Sequence, residues 1–163
     1  MATPTNLPAT AVTGEVLTAA YVNNLRGAFR ILQVISTSAT ASVSSASATW
    51  VDTGLTASIT PQSTTSKILV IYSQNVYTNA AATGGGLRLD RSGTVLRTET
   101  DLSFGNVSGC LVQHCFVYFD SPVTTSALTY KTQQQRSNGA GTVFTQANVA
   151  SNTATMTLME ISL

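Results

Sequence analysis

Cys110, His114 and Cys115 sit close together and are the side chains here whose types could hold a metal ion. Their spacing decides against it within one chain. On an extended strand rising ~3.3 Å per residue, Cys110 and His114 share a face but stand about 13 Å apart, and Cys115 points to the other face. Zinc needs ligands at ~2.0–2.3 Å. One metal geometry survives, a ring of three His114 side chains about a threefold axis; the competing reading is a buried, hydrogen-bonded histidine. The two thiols are about 16 Å apart by the same reasoning. A disulfide requires Cα atoms ~4.4–6.8 Å apart, so both cysteines are expected free, which fits synthesis in a reducing cytoplasm.

The other chemistry-bearing residues form no site by spacing. Asp90, Glu99 and Asp101 lie among Arg88, Arg91 and Arg97, which predicts exposed ion pairs worth ~0–1 kcal/mol each. A glycan hydrolase would need two carboxylates ~5–10 Å apart in a cleft. Asp90 with Asp101, or Asp101 with Asp120, are the available pairs, and nothing in the sequence demands either. Gly84-Gly85-Gly86 lacks the Lys-Ser/Thr and helix that follow a phosphate loop, so it reads as a flexible loop. Asn106-Val107-Ser108 matches a glycosylation sequon without a secretion route beside it. His114 is the only histidine, and no Ser/His/Asp triad assembles around it. A non-enzymatic protein without a cofactor is expected.

Composition points to assembly instead. Hydrophobic residues make up 43% of the 163 residues and charged ones 9%, against roughly a quarter charged in ordinary domains. Ser, Thr, Ala, Asn and Gln fill the gap. A polar but barely charged surface suits a protein covered by other subunits, because charges are depleted from interface cores. Repeated Val/Ile/Leu/Tyr/Phe runs argue against disorder. An obligate oligomer follows. A net charge of +1 gives no basic footprint for nucleic acid, and no apolar run approaches the ~18 residues that span a bilayer. The first basic residue is Arg26, so no charged leader of a signal peptide is read.

Residues 1–30 read as an extended anchor with one short helix, and 31–163 as a single β domain. The first thirteen residues carry Pro4 and Pro8, with Leu7 between them. Thr18 can cap a helix, with Leu17 and Val22 as the hydrophobic staple. Leu17, Tyr21, Leu25 and Phe29 recur at i, i+4, with Val16 beside them. About ten residues make no stable helix alone, so this segment is expected to dock, preferably into a larger assembly.

From Ile31 the period changes to two. Ile31–Ile35, Ala39–Val43, Ala48–Val51 and Leu55–Thr60 read as strands, with Asp52-Thr53-Gly54 as a turn. Lys67 launches the central strand, whose Ile68, Val70 and Tyr72 alternate with Leu69, Ile71 and Ser73; apolar on both faces, it is expected to be covered on both. Leu87–Arg91 and Thr94–Thr100 form a hairpin across Ser92-Gly93. Cys110–Phe119, Ala127–Gln135, Thr142–Gln146 and Thr153–Ser162 complete the set. Strands about ten residues apart with Gly/Pro/Ser turns predict an antiparallel β-sandwich, jelly-roll-like. Its loops are the expected place for ligand contact. Residues 75–86, 101–109 and 137–142 are the candidates, with Tyr77, Asn79, Phe104, Asn106 and Asn138 as residues that could stack on or hydrogen-bond a sugar.

Ile-Thr-Pro-Gln-Ser-Thr-Thr-Ser-Lys-Ile-Leu-Val (59–70), Phe-Asp-Ser-Pro-Val-Thr-Thr-Ser-Ala-Leu-Thr-Tyr-Lys (119–131) and Leu-Met-Glu-Ile (158–161) resemble segments of virion proteins of tailed bacteriophages. There they occur in the C-terminal β domains of tail-fibre, head-fibre and capsid decoration proteins. Gly-Glu-Val-Leu-Thr-Ala-Ala-Tyr-Val-Asn-Asn-Leu (14–25) resembles the anchor segments preceding such domains. The resemblance implies a homotrimeric knob fixed to other virion proteins, of tail or capsid, by its N-terminal segment. It also implies assembly in the host cytoplasm, host-surface glycan as the candidate ligand, and no catalytic residues. Many tail fibres carry a long shaft between anchor and knob. Its near absence here leaves open a stubby adsorption fibre or a decoration protein that cements the shell, with a glycan depolymerase as the remote alternative.

Overall fold

The computed structural model describes residues 31–106, 108–146 and 152–162. The expected anchor helix and Leu7, Val16, Leu17, Tyr21, Val22, Leu25 and Phe29 lie outside them. In chain order the strands are β1 (Ile31–Ala39), β2 (Val43–Ser45), β3 (Val51–Ile59), β4 (Lys67–Thr78), β5 (Gly84–Arg91), β6 (Thr94–Glu99), β7 (Cys110–Asp120), β8 (Leu128–Asn138), β9 (Val143–Thr145) and β10 (Ala154–Ile161). Among the described residues there is no helix, and the sheets are antiparallel throughout.

Two sheets face each other. In the first, β1 pairs β10, β10 pairs β4 and β4 pairs β7, while β2 and β9 continue the β1 and β10 lanes along the upper part of β4. The second runs β3-β8-β5-β6. If β1 with β2, and β9 with β10, are each counted as one interrupted strand, eight strands make two four-stranded sheets, and the chain changes sheet at every step except the β5–β6 hairpin. This is the connectivity of a jelly roll.

Period-two burial builds the interior. From the first sheet Ile68, Val70, Tyr72, Ala154, Met156 and Leu158 point inward, and from the second Leu55, Ala57, Ile59, Leu89, Leu128 and Tyr130 meet them. A smaller cluster of Val76, Leu87 and Val143, with Leu102 against it, fills the other end. At the hairpin end a polar clasp joins the sheets. Arg91 on β5 reaches both carboxylate oxygens of Asp120 on β7 at 2.7 Å, and the Tyr130 hydroxyl donates to the same carboxylate at 2.6 Å. Burial, with the Asp120 carboxylate beside it, pushes the Tyr130 phenol well above its ordinary range.

Three local expectations are corrected. Gly84-Gly85-Gly86 is no flexible loop: all three glycines are buried within β5. A Cβ on Gly85 would stand 2.6 Å from Val76 Cγ1 and 2.9 Å from Ser103 Oγ, so the glycines are there to let neighbouring chains approach. Asp52-Thr53-Gly54 is not a turn but lies inside β3, at an irregularity in its pairing with β8. Thr53 is fully buried with its hydroxyl 2.6 Å from that of Thr132, and Gly54 takes the positive φ of 83° that the irregularity needs. Finally, β4 continues to Thr78, so residues 75–78 belong to a strand rather than a loop.

Candidate functional site

The predicted ligand loops do converge. They meet beyond the small apolar cluster, at the end of the sandwich away from the Arg91–Asp120 clasp, and are lashed together through their backbones. Asn79 donates its N–H to the Thr142 carbonyl at 3.2 Å and accepts the Thr142 N–H on Oδ1 at 2.8 Å. The Ala82 N–H reaches the Gly105 carbonyl, and the Leu102 N–H that of Gly85, both at 2.8 Å. Gly141 donates to Thr83 Oγ1 at 3.0 Å, while Ser137 Oγ donates to Asp101 Oδ1 at 2.7 Å.

On this platform Phe104 is 46% exposed, and Asn106 is also exposed. Asn79 is committed to holding Thr142, and Asn138 Oδ1 accepts the N–H of Gly139 at 2.7 Å. Tyr77 is elsewhere: it stands on the outer face of β4 with its ring 5.7 Å from that of Phe144. The loop end thus offers one exposed aromatic ring in a polar, well-tied setting.

The outer face of the first sheet is the larger surface. Cross-strand register sets out its rows. Val34, Met159, Leu69 and Phe119 lie side by side, and Ser36, Thr157, Ile71 and Val117 form the next row. Ile31 and Ile161 flank the first row beside Lys67, and Leu111 stands opposite Tyr77 further up. Val117 is 60% exposed, Ile31 56%, Phe119 53%, Val34 51% and Leu111 50%. Lys67 is the one ionisable head among these rows, and its Nζ is turned to Ser121 Oγ at 2.7 Å. Four lanes ~4.8 Å apart and about ten residues long make a face of about 600 Å² in all. Its lower rows are mostly apolar, while the row of Ser38, Thr155, Ser73 and Cys115 above them is polar, with Gln113 donating to Ser73 Oγ at 2.8 Å.

The opposite outer face is of a different kind. On the second sheet Asp52 accepts from Lys131 Nζ at 3.0 Å, and Arg88 Nε donates to Gln133 Oε1 at 2.7 Å beneath the Trp50 ring. Thr56, Ser58 and Thr129 are exposed there too, and Val95 on β6, 45% exposed, is an apolar exception. One face of the sandwich is mostly polar and ion-paired; the other carries apolar rows at its lower end and polar rows above them. Sequence reasoning saw apolar residues on both faces of residues 67–72 and 110–119. The strand from Lys67 was expected to be covered on both faces, because period two does not say how many layers a fold has. Strand β7 is in fact a sheet edge, paired only with β4 among the described residues.

His114 faces inward on β7, opposite Gln74, and is half-buried. Burial draws its imidazole below the usual histidine range, opposed by a hydrogen bond with the Leu102 backbone and the nearby Glu99 carboxylate. The ring lies on the side of β7 that faces the second sheet, with Gln74 as its cross-strand neighbour. Cys115 is exposed and Cys110 half-buried, both as free thiols. Neither carboxylate pair is brought together. Asp101 is tied to Ser137 at the loop end. Asp90 caps Gly93 in the hairpin, and Asp120 closes the clasp at that same end. Six residues of β5 at ~3.3 Å each put roughly 20 Å between the two ends.

No family profile matches the chain, and no curated protein matches it. Solved structures show distant likeness. A dimeric latent PorU of Porphyromonas gingivalis aligns with 72% of the chain at 10% identity and TM-score 0.39. An infectious bursal disease virus Gx strain structure aligns with 80% at 13% identity and TM-score 0.42. The VP2 subviral particle of the same virus aligns with 79% at 13% identity and TM-score 0.39. The chain spans 10%, 37% and 38% of those chains, respectively. Likeness this distant carries no argument about function.

Proposed function

We propose that this chain is a non-enzymatic structural protein of a tailed-bacteriophage particle. It is a short homotrimeric fibre, held to other virion proteins by residues 1–30 and presenting its β domain as a knob for adsorption to the host surface. The observation that carries the reading is the unequal pair of sheet faces. The outer face of the first sheet, about 600 Å² in all with mostly apolar lower rows, approaches the ~800 Å² that each partner contributes to a standard interface. Like copies in a trimer cover such faces, which accounts for a chain so poor in charge. The sequence likeness to phage fibre and decoration segments points the same way. At the free end, the exposed Phe104 ring beside Asn106 suits a saccharide face, and three knobs would multiply weak contacts into useful avidity.

A second reading, a decoration protein that cements the capsid, is favoured by one observation. Strand β1 is described from Ile31, directly after the 1–30 segment read from the sequence as the anchor, and a long shaft does not fit between the two. Immunogold labelling of phage particles with antibody raised against the full chain separates the two. Gold at the tail supports the fibre and gold on the head the decoration protein; particles left unlabelled overturn both.

A further inference from the structure

Between the two apolar clusters the sandwich interior turns polar. Gln74, Gln134 and Thr145 are fully buried and Gln146 is 2% exposed. Register brings them to one level. Gln74 stands opposite His114 and two residues before Val76, which pairs with Thr145; Gln146 follows directly. From the other sheet Gln134 pairs with Leu87, which packs on Val76. Ser103 Oγ lies against the same cluster, close to where a Gly85 side chain would be. Among the described residues, neither amide atom of Gln74, Gln134 or Gln146 has a hydrogen-bond partner, and nor do Thr145 Oγ1, Ser103 Oγ and His114 Nε2.

Nine buried polar atoms left unpaired at ~1–3 kcal/mol each would cost as much as, or more than, the ~5–15 kcal/mol that holds a domain folded. Something must satisfy them. The lining chemistry specifies what. Primary amides and hydroxyls donate and accept in equal measure, and a neutral imidazole nitrogen adds one more site. No ionised group is among them, so a charged ligand would enter without a counter-charge. On that side of β4 the described pairing runs with β10 up to Ser73 and with β9 from Val76, so the layer sits at the changeover between the two.

We propose that this layer is an internal hydration chamber, in which Gln74, Gln134, Gln146 and Thr145 share a connected group of ordered water molecules. Buried water at ~3 hydrogen bonds per molecule and about one per 27 residues is of the right order for nine atoms. The waters bridge the two sheets between the two apolar clusters.

A crystal structure of the full chain at atomic resolution tests this directly. Waters within hydrogen-bond distance of at least two of the three glutamine amides are expected. Amides that bond directly to one another or to protein carbonyls, leaving no water between them, would overturn the proposal, and so would density for any other molecule filling the layer. Two-dimensional spectra provide an independent reading. Side-chain amide protons of Gln74 should show cross-peaks to long-lived water, and Gln134→Met should remove or weaken them by breaking the shared network. Unchanged cross-peaks in a folded Gln134→Met protein would mean separate waters and no common chamber. If that variant does not fold, Gln146→Met serves with the same expected and contrary outcomes.

Discussion

Replacing Val117 and Phe119 together by lysine is the sharpest challenge to the idea that the apolar face of the first sheet is covered by like copies. Both side chains point away from the interior and are 60% and 53% exposed within one chain, so the fold itself asks little of them. Full burial of an apolar side chain of this size is worth ~1.5–3 kcal/mol, so covering the exposed half of each contributes about 1 kcal/mol. Two residues in three protomers amount to about 6 kcal/mol per trimer, or roughly four decades in the association constant. The concentration of half-dissociation of a trimer varies as the square root of that constant, so it should rise about a hundredfold. The charges add to this, since they lose hydration wherever the face closes. Sedimentation across a dilution series reads the effect, with circular dichroism as the check on folding. Thr129→Lys on the polar face is the control and should leave the assembly where it was. The reasoning fails if the unaltered chain sediments as a 17.0 kDa particle throughout the series. It fails equally if the double variant dissociates no more readily than the control.

Other consequences concern the fold beneath this face. Asp120→Ala leaves the Tyr130 hydroxyl without its acceptor and Arg91, whose side chain is 19% exposed, without its carboxylate. A loss of about 3 kcal/mol is expected, read as a fall of roughly 6–12 °C in melting temperature at matched protein concentration. Gly85→Ala forces a Cβ to 2.6 Å from Val76 Cγ1 and should destabilise by ~1–3 kcal/mol through overpacking, measured by urea titration. For His114, the imidazole lies below its ordinary range in the folded chain, so between the folded and unfolded values the unfolded chain holds more protons. Stability should therefore be complete above about pH 6.5 and decline as pH falls through the window below it. His114→Phe should flatten that part of a melting-temperature profile.

How much of this was legible beforehand depended on what kind of signal carried it. Strand β4, the β5–β6 hairpin and the alternation of Met156, Leu158 and Glu160 against Thr157, Met159 and Ile161 follow from period two, which survives in a single chain. The convergence of residues 79–83, 101–106 and 137–142 at one end followed from the logic of a sandwich, whose loops gather at its ends. Gly84-Gly85-Gly86 misled because composition favours a loop, whereas the close approach of Val76, Ser103 and Val143 is tertiary and leaves no local trace. Asp52-Thr53-Gly54 misled for the same reason: a strand irregularity and a turn ask for the same residue types.

The apolar outer face and the buried glutamines show one limit from two sides. Alternation says that Val117 and Phe116 point in opposite directions; it cannot say which direction is inside. Hydropathy alone would put Val117 and Phe119 in the core and Gln74, Gln134 and Gln146 on the surface, yet the fold does the reverse. On the two proposals made above, an apolar side chain turned outward is covered by a like copy, and an amide turned inward is met by water that can both donate and accept. Positions where polarity and burial disagree are the ones on which both proposals rest. The two sets are separable by experiment: dilution acts on the outer face and leaves the interior hydrated, while Gln134→Met alters the interior and leaves the association constant unchanged.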